Sequence, residues 1–248
     1  ITSVILISSL INIYKHRTDI AAFFYGKDET AKQKLVSVID QGALDSTWAN
    51  NIKKGGYVLW FRHAHRNKWD ESVAYLDAYA LKNNIDEAKS SFSDGTCLSQ
   101  RGVQGAKILG KIMLENQIKI SEIWSSPSCR SKETAMIAFG RIDKIYNCIL
   151  HGSAININQH KACALRMKNL VLNHKLKNNQ NLVISGHGNT LNYFGKNFYS
   201  HKISKDIINL EEGSFFVLKK NLNNNIDIVY KFSPFADFSN ALSKIEIN

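Results

Sequence analysis

Three short segments of the chain combine histidine, arginine and serine directly after apolar runs. Arg62–Arg66 (RHAHR) follows YVLWF, Ser125–Arg130 (SSPSCR) follows IW, and Gly186–Thr190 (GHGNT) follows LVIS. Apolar runs of this length are typical of buried strands, and sites in α/β sheets lie at the carboxyl ends of strands. If the three segments converge, two of their three histidines, His63 and His187, share one pocket with their three arginines.

Such a pocket is suited to a phosphoryl group, which spreads negative charge over three oxygens. The planar guanidinium of arginine can bind two of these oxygens at once. A neutral imidazole can attack phosphorus in line, and nearby positive charge keeps its pKa from rising. Helix N-termini after the second and third segments would add N–H donors. The residues therefore indicate covalent phosphoryl-transfer chemistry through a histidine.

The composition of the 248 residues is that of a folded protein with a sizeable core. Apolar residues make up 44% and charged residues 21%, with 14 Gly and 2 Pro, which excludes collagenous, Pro-rich and wholly disordered chains. The net charge of +11 favours anionic partners, which include phosphorylated small molecules, nucleic acid and anionic membranes. Because no P-loop, EF-hand or nucleic-acid module is found, a nucleic-acid partner is not expected.

Strand patterns alternate with helix patterns along the chain, which predicts an α/β fold. We expect a three-layer sandwich with a mostly parallel central sheet, helices on both faces, and a variable insert between Asn67 and Asp94. The predicted strands are Tyr57–His63, Ile123–Ser126 and Leu182–His187, followed by a hairpin of Gly213–Lys220 and Ile226–Phe232. Helices are predicted from Ser99, which can cap RGVQGAKILGKIMLEN, at Ser128–Phe139 with Gly140 as terminator, and at Lys161–Leu176.

The N-terminal segment is almost purely apolar from Ile1 to Tyr14 and is followed by Lys15–Arg17. It is shorter than the ~20 residues that a spanning helix needs, and it resembles the apolar part of an export signal or a cut anchor. We therefore divide the chain into a signal or anchor with its lead-in, residues 1–26, and one domain, residues 27–248. This predicts a periplasmic or membrane-anchored protein; if the segment is instead a core element, the protein is cytoplasmic.

The four cysteines are Cys97, Cys129, Cys148 and Cys163. No two form a C-x-x-C pair, so a zinc site is not expected. An even number permits two disulfides in an oxidising compartment, but it fits four buried thiols equally well. The sequence leaves both alternatives open.

The three segments together resemble the motifs of the histidine phosphatase superfamily, also called phosphoglycerate mutase-like. The family has three motifs, which are R-H-G/A, S-S-P-x-x-R-x-x-x-T-A and G-H-G/D. The matching segments of this sequence are Arg62–Ala64, Ser125–Ala135 and Gly186–Gly188. Asp94–Gly105 is similar to the L-T/S-x-x-G-x-x-Q-A helix start of the family. The motifs occur in the family's order from about Tyr57 to Phe232, which covers most of the chain.

The resemblance implies metal-independent hydrolysis of a phosphomonoester without a cofactor. His63 would become the phosphohistidine, and the carbonyl of Ala64 would hold the His63 ring. The groups implied to bind phosphoryl oxygens are Arg62, Arg66, Arg130 and His187, and those implied to line the substrate pocket are Asn189 and Thr190.

The resemblance does not identify the general acid that must protonate the leaving alkoxide. The mutase-like branch often places it in a window that here is Ile149–Gln159 and holds no carboxylate, and the acid-phosphatase branch uses the position of Gly188. A missing acid leaves open the alternative of a weak or non-catalytic phosphate-binding protein. A mutase-like phosphotransferase is a further alternative, but it is less favoured because a mutase needs a well-placed acid. The candidate acids are Asp70, Glu71, Asp86, Glu87 and Asp94 in the insert, His151, and bound water.

The RHAxR opening at Arg62–Arg66 is similar to that of envelope members of the superfamily that act on lipopolysaccharide sugars. This similarity implies an anionic partner, which is a phosphorylated small molecule, glycan or lipid. An N-terminal anchor would add association with a membrane.

Overall fold

The fold is described from a computed structural model for residues 41–67, 73–176, 179–200, 210–233 and 235–245. The predicted N-terminal signal or anchor, residues 1–26, lies outside these ranges, and so do Asp70 and Glu71. Within the described ranges, no helix has the length and apolar character required to span a membrane.

Six strands form one sheet within these residues. Their bounds are β1 Val58–Arg62, β2 Ile120–Ser125, β3 Lys144–Ile145, β4 Asn181–Gly186, β5 Phe215–Lys220 and β6 Ile226–Phe232. The order in the sheet is β3-β2-β4-β1-β5-β6. Neighbouring strands from β3 to β1 in this order are parallel, whereas β5 is antiparallel to β1 and forms a hairpin with β6. The mostly parallel sheet and the terminal hairpin are as predicted.

Helices cover both faces of the sheet, which confirms the three-layer α/β sandwich. In the described part of the chain the helices are α1 Gln41–Lys54, α2 Val73–Asn83, α3 Ser93–Thr96, α4 Gln100–Glu115, α5 Cys129–Phe139, α6 His160–Asn173, α7 Thr190–Phe194 and α8 Phe235–Ile245. On one face, residues of α1, α4, α5 and α8 share a core with Leu59 and Phe61 of β1. On the other, residues of α6 and α7 pack against Val58 and Trp60.

Local sequence signals set the ends of the helices next to the site. The Ser99 hydroxyl accepts a hydrogen bond from the Gly102 N–H and caps α4, as predicted. Gly140 ends α5 with φ of 75°, a left-handed conformation that glycine adopts without a steric penalty. The insert after Asn67 contains the helix α2, which the sequence analysis did not assign.

All four cysteines are paired, so the structure selects the disulfide alternative. Cys97 bonds Cys129 and joins the residue after α3 to the first residue of α5. Cys148 bonds Cys163 and joins the loop after β3 to α6.

Candidate active site

The sheet order brings the three predicted segments together. The strands β2, β4 and β1 are parallel neighbours, with Arg62 beside Gly186 and Ser125 beside Ser185. Their carboxyl ends therefore meet at one edge of the sheet, where an α/β fold binds its ligands. The predicted convergence of the two histidines and three arginines is found at this edge.

His63 lies at the end of β1 and is buried, with 3% of its surface exposed. Its backbone N–H donates to the Gly186 carbonyl, and its Nδ1 lies 2.8 Å from the Ala64 carbonyl oxygen. Because a carbonyl can only accept, Nδ1 carries the hydrogen and the lone pair is on Nε2. Burial, and then the charges of Arg130 and Arg62, lower the pKa of His63 well below its usual value. The imidazole is therefore neutral at physiological pH, as a nucleophile must be.

Arg130, in the first turn of α5, is the centre of the buried polar network. Its Nη1 and Nη2 donate to the two carboxylate oxygens of Asp77 at 2.8 and 2.6 Å, and Nη2 also lies 3.2 Å from Nδ1 of His187. The Nε–H group is buried and has no hydrogen-bond partner among the described residues. A buried donor without a partner is unfavourable, so this N–H is available to an anionic ligand.

His187, at the end of β4, is fully buried, and its ring centroid lies 5.4 Å from that of His63. Its Nδ1 accepts from Arg130, so Nε2 carries the hydrogen and donates to the hydroxyls of Ser126 at 3.0 Å and Ser128 at 3.2 Å. Burial, followed by the charge of Arg130, lowers the pKa of His187 well below its usual value. Two neutral imidazoles thus lie beside one buried guanidinium.

Arg62 and Arg66 lie on the more open side of the pocket and share one carboxylate. Arg62 donates to the Leu210 carbonyl at 2.6 Å and lies 3.4 Å from Glu212, while the Nε of Arg66 lies 3.9 Å from the same oxygen of Glu212. Both side chains are about one quarter exposed. A phosphoryl group could therefore reach them from solvent.

The two residues predicted to line the substrate pocket contact the protein itself. The side-chain oxygen of Asn189 accepts a hydrogen bond from the Gly152 N–H. The Nδ2 of Asn189 lies 3.1 Å from Nε2 of His151. The centroid of the His151 ring is in turn 5.6 Å from that of His187. The buried Thr190 hydroxyl donates to the Leu150 carbonyl. Their roles in substrate binding stay predictions. The helix after Asn189, α7, has only five residues, and the expected contribution of its N–H groups to phosphate binding stays a prediction.

The backbone N–H of Cys129, the first residue of α5, donates a hydrogen bond to another group of the protein. We expected this helix to present its N-terminal N–H groups to a phosphate, but the Cys129 N–H donates to Oε2 of Glu87 at 2.7 Å. Glu87 is therefore one of the predicted acids that reaches the site. Asp86, in contrast, lies at the surface, where it pairs with Lys132. Asp94 is exposed.

Asp77 is the site residue that sequence reasoning missed. It lies in α2 and is almost fully buried against Arg130. A signal was present, because Val73, Asp77 and Ala80 have helical spacing and form the buried face of α2. A carboxylate on the buried face of a helix needs a partner, and Arg130 supplies it.

The position after His187 cannot hold an acid in this packing. A Cβ atom on Gly188 would lie 2.4 Å from the Leu210 carbonyl oxygen and 2.9 Å from Cδ of Arg62. The packing of Leu210 and Arg62 thus leaves no room for a side chain at position 188.

No protein-family model matches the chain, and no curated protein matches it. Among solved structures, the product of open reading frame Rv3214 from Mycobacterium tuberculosis matches with a TM-score of 0.50 at 12% identity, covering 72% of this chain and 97% of that one. The ecdysone phosphate phosphatase of Bombix mori, in complex with tungstate, matches with a TM-score of 0.49 at 15% identity, covering 70% and 92%. The protein histidine phosphatase SixA, complexed with tungstate, matches with a TM-score of 0.45 at 11% identity, covering 72% and 97%.

The match to the Rv3214 product shows a shared fold alone, and an identity of 12% carries no information on substrate. The chain shares its fold with this structure, and the resemblance to the histidine phosphatase superfamily rests on its sequence motifs. The neighbouring structures include phosphatases.

Proposed function

We propose that this protein hydrolyses phosphomonoesters through a phosphohistidine formed on His63, without a metal ion. The observation that carries the proposal is the fixed imidazole of His63: Ala64 binds its Nδ1, and the Nε2 lone pair lies in a pocket with Arg62, Arg66 and Arg130. A histidine kept neutral by burial and by neighbouring cations is suited to attack phosphorus.

The reaction has two displacements. In the first, Nε2 of His63 forms a bond to phosphorus while the ester P–O bond breaks and the alcohol leaves. In the second, a water oxygen bonds to phosphorus, the N–P bond breaks, and inorganic phosphate leaves. The arginines bind the equatorial oxygens and stabilise the charge that they carry in both transition states. The unpaired Nε–H of Arg130 is one donor available for this purpose.

The working compartment is also part of the proposal. The two disulfides favour an oxidising environment, such as the periplasm or the outer side of a membrane. A phosphorylated glycan or lipid head group is the substrate class that fits this location and the basic net charge of +11. Alkylation and peptide mass mapping of the protein from its native cells tests the location, since four freely alkylated thiols would contradict it.

Turnover of p-nitrophenyl phosphate in the presence of EDTA tests the activity. We expect the wild-type protein to be active and His63→Ala to lose at least ~10³-fold in kcat, because the covalent route is removed. His174→Gln is the matched control, because His174 contacts Ser121 and Glu122 near the opposite end of β2. No turnover by a folded wild-type protein that still binds vanadate would overturn the proposal in favour of a phosphate-binding protein.

A further inference from the structure

Glu212 lies on the open side of the pocket and contacts two of its three arginines. Its Oε1 is 3.4 Å from Nη2 of Arg62 and 3.9 Å from Nε of Arg66. Burial lowers the pKa of both arginines, and in both cases the charge of Glu212 opposes the shift. The carboxylate therefore helps to hold two of the proposed phosphoryl ligands in their charged form.

A tight turn fixes the backbone of Glu212 beside the nucleophile. The Gly213 N–H donates to the His63 carbonyl at 3.1 Å, and the Arg62 N–H donates to the Ser214 carbonyl at 3.0 Å. Gly213 has φ of 80°, a left-handed conformation that glycine adopts without a steric penalty. The residue next to Glu212 is thus bound to the backbone of the proposed nucleophile itself.

One oxygen of the Glu212 carboxylate is available to a ligand. Both arginine contacts involve Oε1, and Oε2 accepts no hydrogen bond from the residues that the structure describes. The side chain is 22% exposed, so solvent reaches it. A phosphoryl group bound by Arg62 and Arg66 must lie close to this carboxylate, because the three side chains meet at one place. A carboxylate oxygen accepts a hydrogen bond from an O–H group and repels a fully ionised oxygen.

We infer that Glu212 is a specificity-determining residue that selects oxyanions which carry a proton. The P–O–H group of a phosphomonoester monoanion donates a hydrogen bond to the Glu212 carboxylate while the arginines bind the other oxygens. A phosphomonoester dianion has no such proton and places a charged oxygen against the carboxylate. The inference rests on the proposed function and deepens it, because it defines the charge state of the substrate.

The counter-charges within the site support this selection. Glu212 pairs with Arg62 and Arg66, and Asp77 pairs with Arg130, so each of these guanidinium groups already has a carboxylate next to it. Cations that are partly neutralised gain less from a second negative charge on the ligand. The carboxylate of Glu212 adds a penalty that only the fully ionised ligand experiences.

Inorganic phosphate and sulfate test the inference, because they are tetrahedral anions of similar size that differ in one proton. Near pH 8 both are mainly dianions, but phosphate carries an O–H group and sulfate does not. Calorimetric titration of the wild-type protein should give a lower Kd for phosphate than for sulfate. In Glu212→Gln this preference should fall by at least ~10-fold, because the charged oxygen of sulfate no longer faces a carboxylate.

Glu115→Gln is the matched control for this titration. It removes an exposed carboxylate, paired with Lys111 on α4, and changes the net charge of the protein by the same amount as Glu212→Gln. We expect it to preserve the preference for phosphate over sulfate. An equal loss of the preference in both variants would overturn the inference, because net charge alone would then account for it.

The pH dependence of phosphomonoester binding provides a second test. A phosphomonoester loses its last acidic proton with a pKa of about 6. Glycerol phosphate binds to His63→Ala without turnover, and we expect its Kd to rise between pH 5 and pH 8. The rise should be smaller in His63→Ala/Glu212→Gln. A Kd that falls with pH in His63→Ala, or a rise that Glu212→Gln does not reduce, would overturn the inference.

The groups that surround Glu212 do not obscure this comparison. Arg62 of β1, Arg66 of the following loop and Arg101 of α4 experience its charge, and arginine stays protonated over this range. Burial raises the pKa of Glu87 to about 7, so Glu87 titrates in the same range. It is present in both proteins, and the difference between them therefore reports on Glu212.

The outcomes separate the inference from the proposed function. A wild-type protein without preference for phosphate, or a preference that Glu212→Gln leaves unchanged, would overturn the inference, since Glu212 would then only hold the arginines in place. A wild-type protein that binds neither anion would refute the proposed function and the inference with it. The expected preference without turnover of p-nitrophenyl phosphate would refute the hydrolase activity alone and would support the role of Glu212.

Discussion

The carboxylate of Asp77 and the guanidinium of Arg130 form a two-pronged ion pair, with N–O distances of 2.8 and 2.6 Å. The two residues are 53 positions apart, and neither side chain is reached by solvent. One contact therefore joins the insert after β1 to the helix that follows β2, directly beside His187.

Breaking this pair on one side should destabilise the fold strongly. Arg130→Met leaves Asp77 buried without a counter-charge, which costs about 3–5 kcal/mol of unfolding free energy. The double variant Arg130→Met/Asp77→Leu should recover much of that loss, because no buried charge is left. Urea unfolding of the wild-type protein, both single variants and the double variant measures the coupling, and losses that simply add would show that the pair does not interact in the fold.

Glu87→Gln should be increasingly stabilising, relative to the wild type, as the pH rises. The pKa of Glu87 is raised to about 7 in the folded state, so between its ordinary value of 4.5 and 7 the unfolded chain releases a proton that the folded chain retains. Wild-type stability falls over this window, by at most about 1.4 kcal/mol per pH unit from this group. Glutamine removes the effect. Urea unfolding at pH 4, 6 and 8 tests it, and a difference between variant and wild type that does not change with pH would contradict it.

Gly188 should not tolerate a side chain. The Cβ of Gly188→Ala would meet the Leu210 carbonyl and Cδ of Arg62, so we expect about 1–3 kcal/mol of destabilisation and a lower kcat/KM through displacement of Arg62. Gly140→Ala is a useful comparison, because nothing lies within 4 Å of its added Cβ. That variant should strain the helix end without affecting kcat/KM. Normal activity and stability of Gly188→Ala would show that the loop is looser than described.

Loss of the Cys97–Cys129 disulfide should affect both stability and catalysis. The bond closes 32 residues of chain, and by loop entropy its removal in Cys97→Ala/Cys129→Ala costs roughly 3–4 kcal/mol. Because Cys129 directly precedes Arg130 at the start of α5, kcat on p-nitrophenyl phosphate should fall as well.

The second disulfide provides the control for that experiment. Cys148→Ala/Cys163→Ala opens 15 residues and should cost about 3 kcal/mol with little effect on kcat. Thermal melts and kcat measurements on both double variants make the comparison. Equal effects on kcat would contradict the specific link between the Cys97–Cys129 bond and the position of Arg130.

The parts of the site that follow strands could be predicted from the sequence, because their signal is local. An apolar run that ends in His63 or His187 predicts a buried strand and places that histidine at the carboxyl end of the strand. Parallel neighbouring strands then bring these ends together at one edge of the sheet. The helix signals at Ser99 and Gly140 were equally local. These elements account for the α/β sandwich and for the convergence of the three segments.

The two buried carboxylates near the site, Asp77 and Glu87, could not be identified from local sequence signals. Asp77 is paired through tertiary packing of α2 against α5, and no spacing in the sequence connects it to Arg130. Glu87 was one of several insert carboxylates, and only its burial beside Cys129 distinguishes it from the exposed Asp86. The pairing of the cysteines likewise depends on the folded positions of loops.

Trapping the phosphoenzyme tests the central claim most directly. The wild-type protein would be mixed with substrate, quenched within milliseconds in alkaline denaturant, which preserves phosphohistidine, and mapped by peptide mass spectrometry. We predict one phosphoryl group on the peptide that contains His63, absent in His63→Ala and present in His174→Gln. Active wild-type protein that yields no phosphorylated peptide, or that carries the phosphoryl group on another residue, would contradict the account.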